Sequence, residues 1–156
     1  MQEFGTIKQT VFFKAPPELV YEALLDAKRH SEFTGSPATT NARVGATFTA
    51  WDGYITGKNL ELARPKKIVQ EWTTTEWPDG YPTSRLEFTL TPKKGGTELK
   101  MVHSQVPAVQ VDEYTSGWKE AYWDPLRRYL AKRGNERPAK TKARRVAARK
   151  RPQRKR

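Results

Sequence analysis

Between Thr40 and Val106 almost every stretch of the chain alternates apolar or β-branched residues with polar ones. The alternation is cleanest twice. Leu86, Phe88 and Leu90 share one side against Arg85, Glu87 and Thr89, and Leu99, Met101 and His103 oppose Glu98, Lys100 and Val102. A sheet with one apolar and one polar face is antiparallel, and the apolar face has to be covered. One later segment offers the length and apolar surface to do so, "GWKEAYWDPLRRYL" at Gly117–Leu130. Tyr114, Trp118, Tyr122, Leu126, Tyr129 and Leu130 recur there at helical spacing and form one stripe. Pro125 lacks the N–H that would bond the carbonyl of Ala121, and its ring crowds that turn, so a bend is predicted. Gly117 is costly inside a helix, about 1 kcal/mol against alanine, which predicts a close approach of strand or ligand. The fold class is therefore α+β, a curved antiparallel β-sheet wrapped around a long C-terminal helix. The aromatic residues of that helix either fill a core or wall a cavity.

The elements before the sheet are shorter. Glu3–Ala15 reads as a first strand. Pro17 suits a first helical position, and Leu19, Val20, Ala23, Leu24 and Ala27 predict an amphipathic helix over Pro17–Ala27. Lys28–Ala38 is polar and contains Gly35 and Pro37, which predicts a brief helical turn and then a loop with His30 solvated. Within the sheet, Asp52-Gly53 supplies hairpin chemistry. Arg64-Pro65 marks a hinge, "EWPDGYP" a turn, and Pro92–Gly96 a short hairpin loop.

Charge is concentrated at the end. From Asn135 the sequence "NERPAKTKARRVAARKRPQRKR" holds eleven of the 29 Lys and Arg residues and one of the 17 Asp and Glu. Such a composition cannot bury enough apolar surface to fold alone, so a disordered basic tail is expected over residues 135–156. Arg144, Arg145, Arg149, Lys150, Arg151, Arg154, Lys155 and Arg156 are its candidate polyanion contacts. With no ring to stack on bases, contact with nucleic acid would be independent of sequence and strongly salt-dependent. An equal reading is a solubilising extension.

Several function classes find no support in the residues. The sequence holds no cysteine, which removes disulfides, thiolate chemistry and cysteine zinc sites. The first residues lack the pattern of a secretory signal, and no apolar run is long enough to span a bilayer. A cytoplasmic protein without a membrane span is expected. No nucleophile elbow, phosphate loop or paired-histidine metal motif occurs, so neither catalytic residue, metal nor cofactor is assigned. Glu61 lies opposite in parity to Leu60 and Leu62 and is expected to face solvent. Strand parity turns Gln70 and His103 toward the apolar side, where an unpaired polar group costs about 1–3 kcal/mol. Each is therefore expected to have a partner in protein, water or ligand. Together with Trp72, Phe88, Met101, Tyr114, Trp118 and Tyr122 they are the candidate lining of a ligand cavity, apolar with a few polar groups.

The order of strand, helices, antiparallel strands and long last helix is the helix-grip arrangement, and the residues resemble a family that uses it. "EFTGSPA", "VGATFTAWDGYITGKNLELARPKKIVQEW", the "WPDG" turn, "GGTEL", Val106-Pro107 and "GWKEAYWDPLRRYL" resemble the C-terminal domain of the activators of heat-shock protein 90 ATPase. They are similar in particular to the stand-alone bacterial proteins of this type in the START-like (SRPBCC) superfamily. The resemblance covers about Gln9–Leu130 and implies one START-like domain over residues 1–134. It departs from the family after Trp77-Pro78, where Gly80, Tyr81 and Pro82 replace a common Gly-His-Tyr. It implies a non-enzymatic domain that binds an apolar or amphipathic small molecule or a protein partner, with a chaperone among the implied partners and stress response as the setting. Two other readings remain open, nucleic-acid association through the tail and a cyclase- or hydrolase-type cavity enzyme using His103 and Gln70.

Overall fold

The computed structural model describes residues 2–133. Six strands form one antiparallel sheet in the order β1-β6-β5-β4-β3-β2. They are β1 (Phe4–Phe13), β2 (Thr47–Ala50), β3 (Ile55–Ala63), β4 (Lys67–Thr74), β5 (Ser84–Lys93) and β6 (Gly96–Pro107). Every neighbouring pair except β1 with β6 is consecutive in sequence. This meander explains why strand alternation could be read so directly. On β5 and β6 the paired residues Leu86–His103, Phe88–Met101 and Leu90–Leu99 are all buried on the concave face. Bulges between Gly5 and Ile7 and between Asn59 and Glu61 interrupt the register of the outer pairs and add to the twist that curls the sheet.

Two turns differ from the expected pattern. The loop assigned to Pro92–Gly96 is shorter, because β5 runs to Lys93 and β6 begins at Gly96. Pro92 can stand in the strand because β4 pairs with β5 only as far as Thr89. Beyond that point β5 has one neighbour, and a missing N–H leaves no ladder bond unmade. At the β2–β3 turn, Trp51, Asp52 and Gly53 all have positive φ, at 53°, 56° and 88°. The left-handed run turns the Trp51 and Tyr54 rings to one side of the sheet end.

The helix expected over Pro17–Ala27 is α1 (Pro17–Leu25), ending two residues early, and a second helix, α2 (Ala27–Thr34), follows it. Asp26 ends the first, and its carboxylate accepts the backbone N–H of Arg29 at 3.0 Å to start the second. Gly35 closes α2 at φ 76°. The helical turn predicted for this segment is thus a full eight-residue helix, and His30 lies on its buried side, 5% exposed, rather than in solvent. Asp26→Ala should lower stability by about 1 kcal/mol through the lost cap, measured as the shift in denaturant midpoint.

The covering helix is not uniform. A 3₁₀ turn (Ala108–Gln110) leads into α3 (Val111–Gly117), a π-wound segment follows over Trp118–Trp123, and α4 (Asp124–Arg133) completes it. The Asp124 N–H reaches back five residues to the Lys119 carbonyl. The irregularity predicted from Pro125 therefore appears as a wider turn just before it, which relieves the crowding that proline causes. Trp123 had no place on the predicted stripe, yet it is 2% exposed and its indole N–H donates to the Gln9 side-chain oxygen at 2.6 Å. The extra residue per turn brings Trp118 and Trp123 into a stack, with centroids 5.4 Å apart and planes at 19°. Among the described residues no helix is long and apolar enough to cross a membrane. Residues 135–156, with all eight candidate polyanion contacts, lie outside the described residues.

Candidate functional site

Between sheet and helix the eight candidate residues fall into three groups. Met101 and His103 are buried and line no cavity. Gln70 and Phe88 border a void of about 20 Å³, shared with Trp72, Trp118 and Tyr122. That is room for roughly one water, so the centre of the grip is packed nearly solid. Trp72, Tyr114, Trp118 and Tyr122 also border a pocket of about 340 Å³ displaced toward the β2–β3 turn. The expected cavity is thus a filled core opening into a pocket at one end.

The filled part is held by complete hydrogen-bond chains. The Trp118 indole N–H donates to Nδ1 of His103 at 3.1 Å. That leaves the ring proton of neutral His103 on Nε2, which meets Ser84 Oγ at 2.8 Å, while the Ser84 hydroxyl donates to the Trp72 carbonyl at 2.6 Å. Both imidazole nitrogens are engaged, and the serine proton points away from the imidazole. This is the reverse of the polarity by which a histidine would activate a serine. Burial holds His103 down to about 3. Gln70 donates to Asn59 Oδ1 at 2.9 Å, and Asn59 in turn donates to the carbonyls of Asn41 and Arg43 at 2.8 and 3.0 Å. The partner expected for Gln70 is another side chain, and Asn59, 1% exposed, escaped sequence reasoning because it sits at a bulge where parity fails.

A third chain joins α2 to the last helix. His30 Nδ1–H donates to the Leu24 carbonyl at 3.1 Å, so its Nε2 lone pair accepts the Tyr122 hydroxyl at 2.9 Å. Burial lowers His30 to about 4, with the Leu24 bond opposing. The same dry environment raises the Tyr122 phenol.

The 340 Å³ pocket has a floor of buried Ile55, Trp72, Tyr114, Trp118 and Tyr122. Its rim is half-buried Trp51, Tyr54, Gly117 and Ala121 with exposed Glu113. Trp72 stands edge-on to Tyr114 at 5.3 Å, and Trp118 lies 4.9 Å from Tyr122. Gly117 has ordinary helical φ, −61°, and a methyl group there would meet nothing within 4 Å. It brings no strand close; it leaves the pocket mouth wide. Most polar groups around the pocket are taken. Tyr54 donates to Glu76 at 2.8 Å and Tyr114 shares a 2.7 Å bond with Thr74. The Trp51 indole N–H, by contrast, is shielded from water and has no partner among the described residues. Trp51 and Tyr54 were missed as site residues because sequence reasoning assigned them to a turn.

A larger groove of about 540 Å³ runs along α1 and α2. Part of its charge is already paired, Arg64 with Glu18 and Glu22 at 2.5 and 2.9 Å and Arg29 with Glu22 at 3.6 Å.

A family model described as "Activator of Hsp90 ATPase homolog 1-like protein" matches residues 14–131. Human "Activator of 90 kDa heat shock protein ATPase homolog 1" is 31% identical over 122 residues, 78% of this chain and 35% of the human protein. The Dictyostelium discoideum homologue is 26% identical over 125 residues, 78% of this chain and 32% of its own. The chain thus spans about a third of the length of the curated relatives it matches. Among solved structures, an HSP90 activator from Plasmodium falciparum superposes with a TM-score of 0.75 at 25% identity, covering 81% of this chain and 96% of that one. The Aha1 dimer from Colwellia psychrerythraea gives 0.68 at 18% identity, covering 79% and 93%, and shows the shared fold alone.

Proposed function

Because the chain belongs to the family of activator of Hsp90 ATPase homolog 1-like proteins, with its START-like helix-grip fold, we propose that the described domain is a non-enzymatic binding module whose pocket takes a small apolar or amphipathic molecule. The observation that carries this reading is the 340 Å³ aromatic pocket beside an otherwise filled core. Its volume falls in the range used by small-molecule sites, and its walls have the usual apolar lining with few polar groups.

Gly117→Leu tests this directly. A Cβ at this position meets nothing within 4 Å, the longer side chain extends into the mouth, and a helix former replaces glycine, so stability should be kept or rise by about 0.5–1 kcal/mol. Binding of an uncharged apolar dye such as Nile red, followed by its fluorescence, should weaken at least about tenfold, a 1.4 kcal/mol loss. Equal affinity of the two proteins would remove the pocket from the proposal.

A second reading rests on the relatives, which are named for activation of a 90 kDa heat-shock protein ATPase. The domain would then also contact such a chaperone. A chaperone ATPase rate unaltered by a saturating excess of this protein would overturn it.

A further inference from the structure

Resting on the pocket reading above, we infer that the ligand carries a cationic group, an alkylated or quaternary amine on an apolar body, and that Glu113 with the surrounding rings selects it over anions of the same shape. Three features of the site lead there. Glu113 is the one ionisable carboxylate or base among the residues lining the pocket, and it sits at the exposed rim with no ion pair to a described residue. Its charge reaches the pocket wall, since Glu113 and Glu76 both help to raise the Tyr114 phenol, behind burial as the main cause. Glu76 itself lies against the rim, accepting the Tyr54 hydroxyl.

Aromatic faces supply the second feature. Trp51, Tyr54, Trp72, Tyr114, Trp118 and Tyr122 surround the space. The faces of such rings carry the negative part of the quadrupole, so they attract a cation and repel an anion. An alkylated ammonium is weakly hydrated and loses little on leaving water for such a cage.

The third feature is what the pocket lacks. No lysine or arginine lines it, although the chain as a whole carries a net charge of +12. A fatty acid or other carboxylate ligand would need a cation at its head, and the lining holds none.

Three probes of one skeleton separate these ideas: 4-phenylbutyl-trimethylammonium, 4-phenylbutanol and 4-phenylbutyrate, titrated against the full chain with tryptophan fluorescence as readout. The ammonium should bind about tenfold more tightly than the alcohol, and the carboxylate should bind weakest. Glu113→Gln should shrink the ammonium's advantage to the part the ring faces supply while leaving the alcohol unchanged. Gly117→Leu should weaken all three. If the alcohol and the ammonium bind alike and Gly117→Leu weakens both, the pocket stands and the charge inference is overturned. A carboxylate that binds best overturns it in the same way. If none of the probes responds to Gly117→Leu, the pocket reading itself fails.

Discussion

Replacing Trp118 by alanine is expected to lower the unfolding free energy by about 5 kcal/mol, enough to unfold much of the protein if its stability is ordinary for a domain of this size. Trp118 is 3% exposed and touches Trp72, Phe88, His103, Tyr122 and Trp123. Removing a buried ring of that size costs about 3–5 kcal/mol through lost transfer energy and the cavity left behind. The indole N–H is also the donor to His103 Nδ1, and orphaning a buried acceptor adds about 1–3 kcal/mol. Trp118→Phe separates the two contributions, because it keeps most of the ring and loses the donor. It should cost about 2 kcal/mol. Guanidinium unfolding of the three proteins measures both, and a Trp118→Ala midpoint close to that of the parent would refute the account of the core given above.

Acid should act nearly as strongly through the two buried histidines. In the folded protein His30 is held to about 4 and His103 to about 3, both by burial, against an ordinary 6.5. Protonation of His103 would also set an N–H on Nδ1 against the Trp118 indole N–H, a group that can only donate, whereas at His30 the Tyr122 hydroxyl can turn and accept. Above pH 6.5 both rings are neutral in the folded and unfolded chains, and their contribution is fully present. As pH falls below 6.5 the unfolded chain takes up protons that the folded one refuses, so stability is lost down to the folded values. Two such groups give a slope of about 2.7 kcal/mol per pH unit in the middle of that window, and about 4 kcal/mol between pH 7 and pH 5. Urea midpoints measured across pH 5–7 test this. A flat profile would mean that the two rings titrate normally in the folded state.

How much of this could be read from residues alone depended on where local pattern is enforced by the fold. The β5–β6 pair is the clearest case. Leu86, Phe88, Leu90, Leu99, Met101 and His103 face inward as their alternation requires, because a tight two-residue connection keeps the register. Glu61 is exposed as expected, but so is Leu60, because the bulge between Asn59 and Glu61 breaks the alternation. The family was legible from long blocks of matching residues, and the comparisons agree. His30 was misplaced because the polar letters around it outweighed the helix signals of Asp26 and Gly35, which were present at both ends of α2. Trp123 was left off the stripe because helical spacing assumes 3.6 residues per turn, and the π-wound segment does not have it. The boundary between filled core and open pocket was beyond any pattern. It depends on the joint volume of residues from the β2–β3 turn, β4 and the last helix, which alternation and spacing do not measure.

The π-wound turn over Trp118–Trp123 has a consequence for how the last helix can change. It works as a phase shifter between α3, which presents Tyr114 to the pocket, and α4, which presents Leu126 and Leu130 to the core. Rewinding all six residues as regular α-helix would rotate one half against the other by about 100°. Either the pocket wall or the core contact would then face water, whereas losing one residue together with the wide turn would leave the halves in phase. The middle of the helix can therefore keep both its extra residue and its wide turn or lose both together, while a change in one without the other turns a face outward.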